Sequence, residues 1–203
     1  MIRHRQPENE GTAMNSPNPA SDLFAFLTKL EWPTGVYWLL LIGCGLLAWR
    51  AWQGDPAQRT LPHLGRMAVR VVVGTCWWQQ SLWKIPPNYD GLKFWMQNMV
   101  DHAPVHLQSW AVANIVLPNI AVFGPIVYAV EVAVGVSLIL GVLTRWGGLL
   151  GLGMAANLWL GLYSAPGEWP WTYGFLILLQ CIYVIDPPGR SLGVEALNRR
   201  DFT

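Results

Sequence analysis

Residues 128–145, Tyr128-Ala-Val-Glu-Val-Ala-Val-Gly-Val-Ser-Leu-Ile-Leu-Gly-Val-Leu-Thr-Arg145, read as part of a membrane-spanning helix with one carboxylate, Glu131, near the middle of the span. A lone acid in hydrocarbon costs several kcal/mol, so it is paired, protonated or turned toward the interior of a helix bundle. A cation is therefore expected on a neighbouring segment. Which segment supplies it, and whether the contact is chemistry or architecture, is the question the rest of the chain answers.

Composition points the same way. Of 203 residues, 53% are apolar and 12% charged, against a soluble average near 25% charged. A formal net charge of +1 lacks the basic face of a nucleic-acid-binding protein, so no nucleic-acid partner is expected. The lipid bilayer is. Thirteen tryptophans, many near the ends of apolar runs (Trp32, Trp38, Trp49, Trp52, Trp83, Trp146, Trp169, Trp171), resemble an aromatic belt at headgroup depth. Cys44, Cys76 and Cys181 stand singly in apolar runs and read as small hydrophobes; His4, His63, His102 and His106 lie outside the predicted spans. Neither haem nor a metal is expected. The i, i+4 pair His102 and His106 is interrupted by Pro104, which disfavours one continuous helix presenting both.

Taken in order, residues 1–22 form a polar, Pro- and Asn-rich tail, expected to be disordered, with Met14 an alternative start. Residues 23–62 hold a short interfacial segment (Leu23 to Leu30), a first span over about Gly35 to Trp52, and a loop. The second span, about Leu64 to Trp83, carries Arg66, Arg70, Gly74, Trp77, Ser81 and Lys84 at alternating steps of four and three, a single polar stripe that faces the bundle. Within the connection 85–118, Tyr89 to Met99 reads as an amphipathic helix with Leu92, Trp95, Met96 and Met99 on its apolar side, suited to the membrane interface, and His106 to Leu117 as a second such segment. Three more spans follow, at about Asn119 to Val142, Trp146 to Tyr163 and Trp171 to Ile185. Glycines 147, 148, 151 and 153 in the fourth permit close helix approach.

With five spans, Arg50, Arg59, Arg66, Arg145, Arg190, Arg199 and Arg200 share one side of the membrane, and Lys29, Lys84 and Lys93 the other. The arginine side is cytoplasmic by the positive-inside rule, the N-terminus and long loop periplasmic, and residues 198–203 a cytoplasmic tail. Arg66 and Lys84 are expected to snorkel to the two surfaces, while Arg70, roughly 7 Å to the cytoplasmic side of the second span's centre, is long enough to reach Glu131, and an Arg70–Glu131 pair is expected, supported by Asn157 and Gln180. Such a pair is either catalytic or a device that fixes helix register.

Arg70, Gly74 and Lys84, then Gly91 and Phe94-Trp95, then Glu131, Gly135, Leu138, Gly141 and Thr144-Arg145, and finally Gly189-Arg190-Ser191-Leu192-Gly193 with Glu195 and Leu197, make the chain from 64 to 197 resemble the DoxX-like membrane proteins, including DoxD, the small subunit of thiosulfate:quinone oxidoreductase. Where Gly193 stands, an aspartate commonly follows in that family. The resemblance implies an all-α polytopic fold, a four-helix bundle over 63–197, and makes the first span an addition. It implies a bacterial inner-membrane subunit with other membrane or periplasmic subunits as partners. Quinone is the implied cofactor. A quinone needs hydrogen-bond donors, a flat apolar slot and a proton source, for which Glu131 and Arg70 are the candidate catalytic residues and Trp77, Gln80, Lys84 and Asn157 the candidate quinone contacts. The alternative is a non-catalytic accessory subunit of a larger respiratory or photosynthetic complex.

Overall fold

The structure is a computed structural model that describes residues 19–29 and 31–198. Most of the expected polar tail, Met14 included, and the last five residues lie outside the described residues. The chain divides into two compact units, Met1–Val36 and Tyr37–Thr203. Every regular element among the described residues is helical.

The first unit contains helix α1 (Pro19–Thr28) and the opening turn of α2 (Trp32–Gly54). Thr28 Oγ1 bonds the Phe24 carbonyl one turn back, and Lys29 pairs with Glu31 at 2.9 Å in full solvent view. Exposure leaves that pair little to contribute.

In the second unit, α2 continues, followed by α3 (Leu61–Ser81), α4 (Asp90–His102), α5 (His106–Ala111), α6 (Ile120–Leu140), α7 (Thr144–Leu162), α8 (Trp171–Ile185) and the short α9 (Val194–Asn198). Helix α3 packs on α6, α6 on α7 and α7 on α8. One apolar core joins all four: Val73 and Trp77 from α3, Val134 and Leu138 from α6, Met154 from α7 and Tyr183 from α8. The α3–α6 crossing is close at Gly74. A Cβ there would sit 2.9 Å from the Ile139 backbone nitrogen and 3.0 Å from the Gly135 carbonyl oxygen, so α3 and α6 meet backbone to backbone. Of the α7 glycines, Gly147, Gly148 and Gly151 face Ser137, Tyr183 and Gln180, whereas Gly153 faces open space.

Among the described residues, two helices are long and apolar enough to cross a membrane, Trp32–Gly54 and His106–Leu140, and Trp171–Ile185 is a shorter apolar helix. The second departs from expectation. Instead of a separate segment ending near Leu117, the helical path runs on from His106 through a π turn at Val112–Val116 and a 3-10 turn at Leu117–Asn119 into α6. Pro118 explains the detour. Its missing N–H and its ring forbid a regular α turn, and the π and 3-10 turns absorb the mismatch without ending the helix.

The apolar side of α4 is also spent differently. Leu92 and Met96 are buried with Val112, and Met99 with Leu162 and Ala165, so this face closes on the protein's own helices. The large hydrophobic side chain exposed on α4 is Phe94, on another side.

At the α6–α7 corner the chain reverses through Gly141 at φ 70, a left-handed cap whose N–H bonds the Ser137 carbonyl. The C-terminal segment folds over this corner. Glu195 accepts from Thr144 N at 2.6 Å and Thr144 Oγ1 at 2.9 Å, placing a carboxylate at the N-terminus of α7, and Glu195 N donates to the Gly141 carbonyl at 3.1 Å. Gln58 holds the same segment from the other side, donating to Arg190 O at 3.2 Å and accepting from Leu192 N at 3.0 Å. Arg66 with Asp186 at 3.4 Å and Arg145 Nε with Val184 O at 3.0 Å bring further helix ends to this end of the unit.

Candidate functional site

Glu131 is 2% exposed, and its partner is Lys84 rather than Arg70. Lys84 Nζ donates to both carboxylate oxygens at 2.7 Å, and to the Gln80 carbonyl at 3.0 Å. All three ammonium hydrogens thus have an acceptor. The Lys84 ammonium also stands 4.0 Å from the centroid of the Trp83 ring, whose face stabilises the charge.

The expected Arg70–Glu131 pair fails for a geometric reason. Every helical side chain leaves its Cα tilted toward the helix N-terminus, so a long side chain reaches back along its own helix. Lys84, in a 3-10 turn (Leu82–Lys84) just past the end of α3, reaches back one turn to Gln80 O and, across the crossing, to Glu131. Arg70 reaches back too, and so moves away from Glu131. Its Nη1 donates to the carbonyls of Leu138 and, at 2.8 Å, Ile139, the last turn of α6. Glu131 and Leu138 are two turns apart, about 10 Å along the axis. Arg70 therefore caps a helix end, where its charge meets the negative pole of the helix dipole.

The remaining predicted contacts divide. Trp77 is 3% exposed and lies in the core, with no partner for its indole N–H; the same holds for neighbouring Trp78 at 4%. Tyr37 stacks on Trp78 with centroids 6.4 Å apart and meets Thr75 Oγ1 at 2.9 Å. The Gln80 side chain is exposed and accepts from Trp83 Nε1 at 3.2 Å. It braces the ring that covers Lys84. Asn157 does not join Glu131: its Oδ1 and backbone carbonyl both accept from Gln108 Nε2, at 3.0 and 2.9 Å, linking α7 to α5. Gln180 is fully buried against Gly151 and bonds neither Glu131 nor Arg70.

Sequence reasoning missed the corner clamp of Gln58, Thr144, Ser191 and Glu195. Ser191 Oγ lies 2.8 Å from His63 Nδ1 in a Gly-x-Ser-x-Gly sequence, but Ser191 is 1% exposed and is preceded by a 3-10 turn, not a strand. The strand-to-helix context that presents a nucleophile is missing, and the pair serves packing.

Paired and bonded, the Lys84–Glu131 couple carries no net charge and sets an acid beside a base in a buried interior. The two free indole N–H donors lie one to two turns away along α3. The site is a buried ion pair inside an apolar helical bundle.

Residues 65–163 match the family model described as DoxX. The matched segment, just under half of the chain, runs from α3 through α7, includes Arg70, Lys84 and Glu131, and is similar to the DoxX family of membrane proteins. The Gly189–Gly193 motif and α8 lie beyond the matched segment. No curated protein and no solved structure matches the chain.

Proposed function

We propose that the chain is a DoxD-like, quinone-interacting subunit of a bacterial inner-membrane oxidoreductase, passing to quinone the electrons that a periplasmic partner withdraws from thiosulfate. The observation that carries this reading is the buried Lys84–Glu131 pair beneath the Trp83 ring, 2.7 Å in both arms. When bound, the quinone is the two-electron acceptor, taking up two protons as it becomes quinol. Lys84, by releasing the Gln80 carbonyl, is the donor suited to a quinone carbonyl, and Glu131 is the group placed to return a proton to Lys84 after each of the two transfers. The unpartnered indole N–H groups of Trp77 and Trp78 fit the donor requirement as well. Gln80 acts indirectly through Trp83, and Arg70 and Asn157 stand outside this group.

Five spans serve this arrangement: α2, α3, the continuous His106–Leu140 run, α7 and α8, with the arginine-rich corner at the cytoplasm and the N-terminus in the periplasm. Purified protein in nanodiscs is expected to quench quinol fluorescence saturably, with Glu131→Gln and Lys84→Met each weakening the effect at least tenfold and Gln80→Ala leaving it within about twofold. Protein that neither retains quinone nor alters quinol fluorescence contradicts the reading.

A second reading, an accessory subunit of a larger membrane complex, draws on the outward face of α2, where Trp38, Leu39, Ile42, Leu46 and Trp49 are all exposed. Purification in mild detergent separates the two readings, since a lone monodisperse chain that still binds quinol disfavours the accessory role.

A further inference from the structure

The Lys84–Glu131 pair is buried, but the ring against it is not. Lys84 is 5% exposed and Glu131 2%, whereas Trp83, whose ring centroid lies 4.0 Å from the Lys84 ammonium, is 38% exposed. Trp77 and Trp78, earlier on the same segment, are both buried in the bundle. Trp83 alone of the three touches the charged pair and the surroundings at once.

What holds this ring in place is slight. Its N–H donates to Gln80 Oε1 at 3.2 Å in an exposed bond. Its six-membered ring lies against Gly91 in the first turn of α4, where a Cβ would stand 3.0 Å from Cε3 and 3.3 Å from Cζ3. Attraction between the ammonium and the ring face supplies the rest. Each of these contacts is weak, and one change of side-chain rotamer releases all of them together. The ion pair does not have to break when the ring turns away, because Lys84 keeps the Gln80 carbonyl and both oxygens of Glu131. Gly91 is what allows the ring to lie this close, since any other residue would place a Cβ against it.

We propose that Trp83 is a gate over the Lys84–Glu131 site, seated by Gly91 of α4 and steadied by Gln80. With the ring in place Lys84 is closed off; with the ring turned outward its ammonium is reachable from outside the protein. The slot so vacated is that of an indole, which suits a planar ring with a carbonyl on its edge and refuses a bulky, non-planar molecule. That choice of ligand rests on the quinone reading, whereas the gate itself does not.

Lys29, Lys84 and Lys93 are the only lysines of the chain, and Lys29 and Lys93 are exposed, so amine labelling reads the gate directly. The full chain in nanodiscs is treated with formaldehyde and dimethylamine–borane, and dimethylation of each lysine is followed by peptide mass spectrometry. In the wild type, Lys84 is expected to react at least about tenfold more slowly than Lys29 and Lys93. Trp83→Ala is expected to raise the Lys84 rate about tenfold, and Gly91→Ala, whose methyl pushes on the ring while favouring the α4 helix, about threefold, with Lys29 unchanged in both. If Trp83→Ala does not fold, Gly91→Ala decides alone. Lys84 reacting as fast as Lys93 in the wild type, or no faster in Gly91→Ala than in the wild type, overturns the gate. Quinol fluorescence of the same samples separates the two ideas: labelling that follows the ring without any quinol response contradicts the quinone reading and leaves the gate standing.

Discussion

At the level of single residues, the need for a cation beside Glu131 was legible, because an acid at that depth has few stable alternatives. The identity of the cation was not. Counting depth from span centres favours Arg70, yet depth is measured at Cα while contact is made at the side-chain tip, and both side chains reach toward the start of α3. Lys84 thereby meets Glu131, and Arg70 meets the Leu138 and Ile139 carbonyls. Trp83, over Lys84, is the remaining member of the group. Trp83→Leu is expected to lower stability by about 1 kcal/mol, measured by thermal unfolding in detergent, because the ring's attraction for the ammonium is lost while the ion pair persists.

At the level of elements, the polar stripe on the second predicted span faces inward from Arg70 to Lys84, whereas Arg66 at its start is exposed and pairs with Asp186, and one of the inward members, Gly74, sets the α3–α6 distance. Gly74→Ala is expected to destabilise by about 1–3 kcal/mol, since the added methyl meets backbone atoms that cannot rotate aside. Gly153→Ala in α7, with open space beside it, is expected to be neutral or to stabilise by up to ~1 kcal/mol through helix propensity. Comparing the two by thermal unfolding separates a packing glycine from a bystander. The corner clamp was harder to read. Gln58 and Leu192, joined by a hydrogen bond, are 134 positions apart, and nothing in local pattern links them. In the sequence Glu195 stands out only as an acid two residues past the Gly189–Gly193 motif; its role depends on Thr144 arriving from a different helix. Glu195→Ala is expected to cost about 1–2 kcal/mol, the scale of a lost helix N-cap.

For the molecule as a whole, the apolar composition and the spacing of the long segments were enough to anticipate an all-helical membrane bundle. What they misjudged is where apolar surface goes. The α4 side assigned to the membrane interface is covered by Val112, Leu162 and Ala165, and the Pro118 break is absorbed within one helical run. Composition reports how much apolar surface exists, not whether lipid or protein covers it. The proposed five-span topology predicts that a reporter active only in the periplasm is silent when fused after Thr203 and active when inserted in the loop near Asn88. The opposite pattern would invert the assignment.

The central claim is that Lys84, and not Arg70, answers Glu131. A double-mutant cycle in unfolding free energy tests it. Lys84→Met and Glu131→Gln are each expected to be strongly destabilising, Lys84→Met by about 3–5 kcal/mol because it leaves Glu131 as an uncompensated buried charge, with a coupling between them of at least about 2 kcal/mol, while Arg70→Gln and Glu131→Gln add within ~0.5 kcal/mol. Additive effects for Lys84 with Glu131, together with strong coupling for Arg70 with Glu131, would contradict the account.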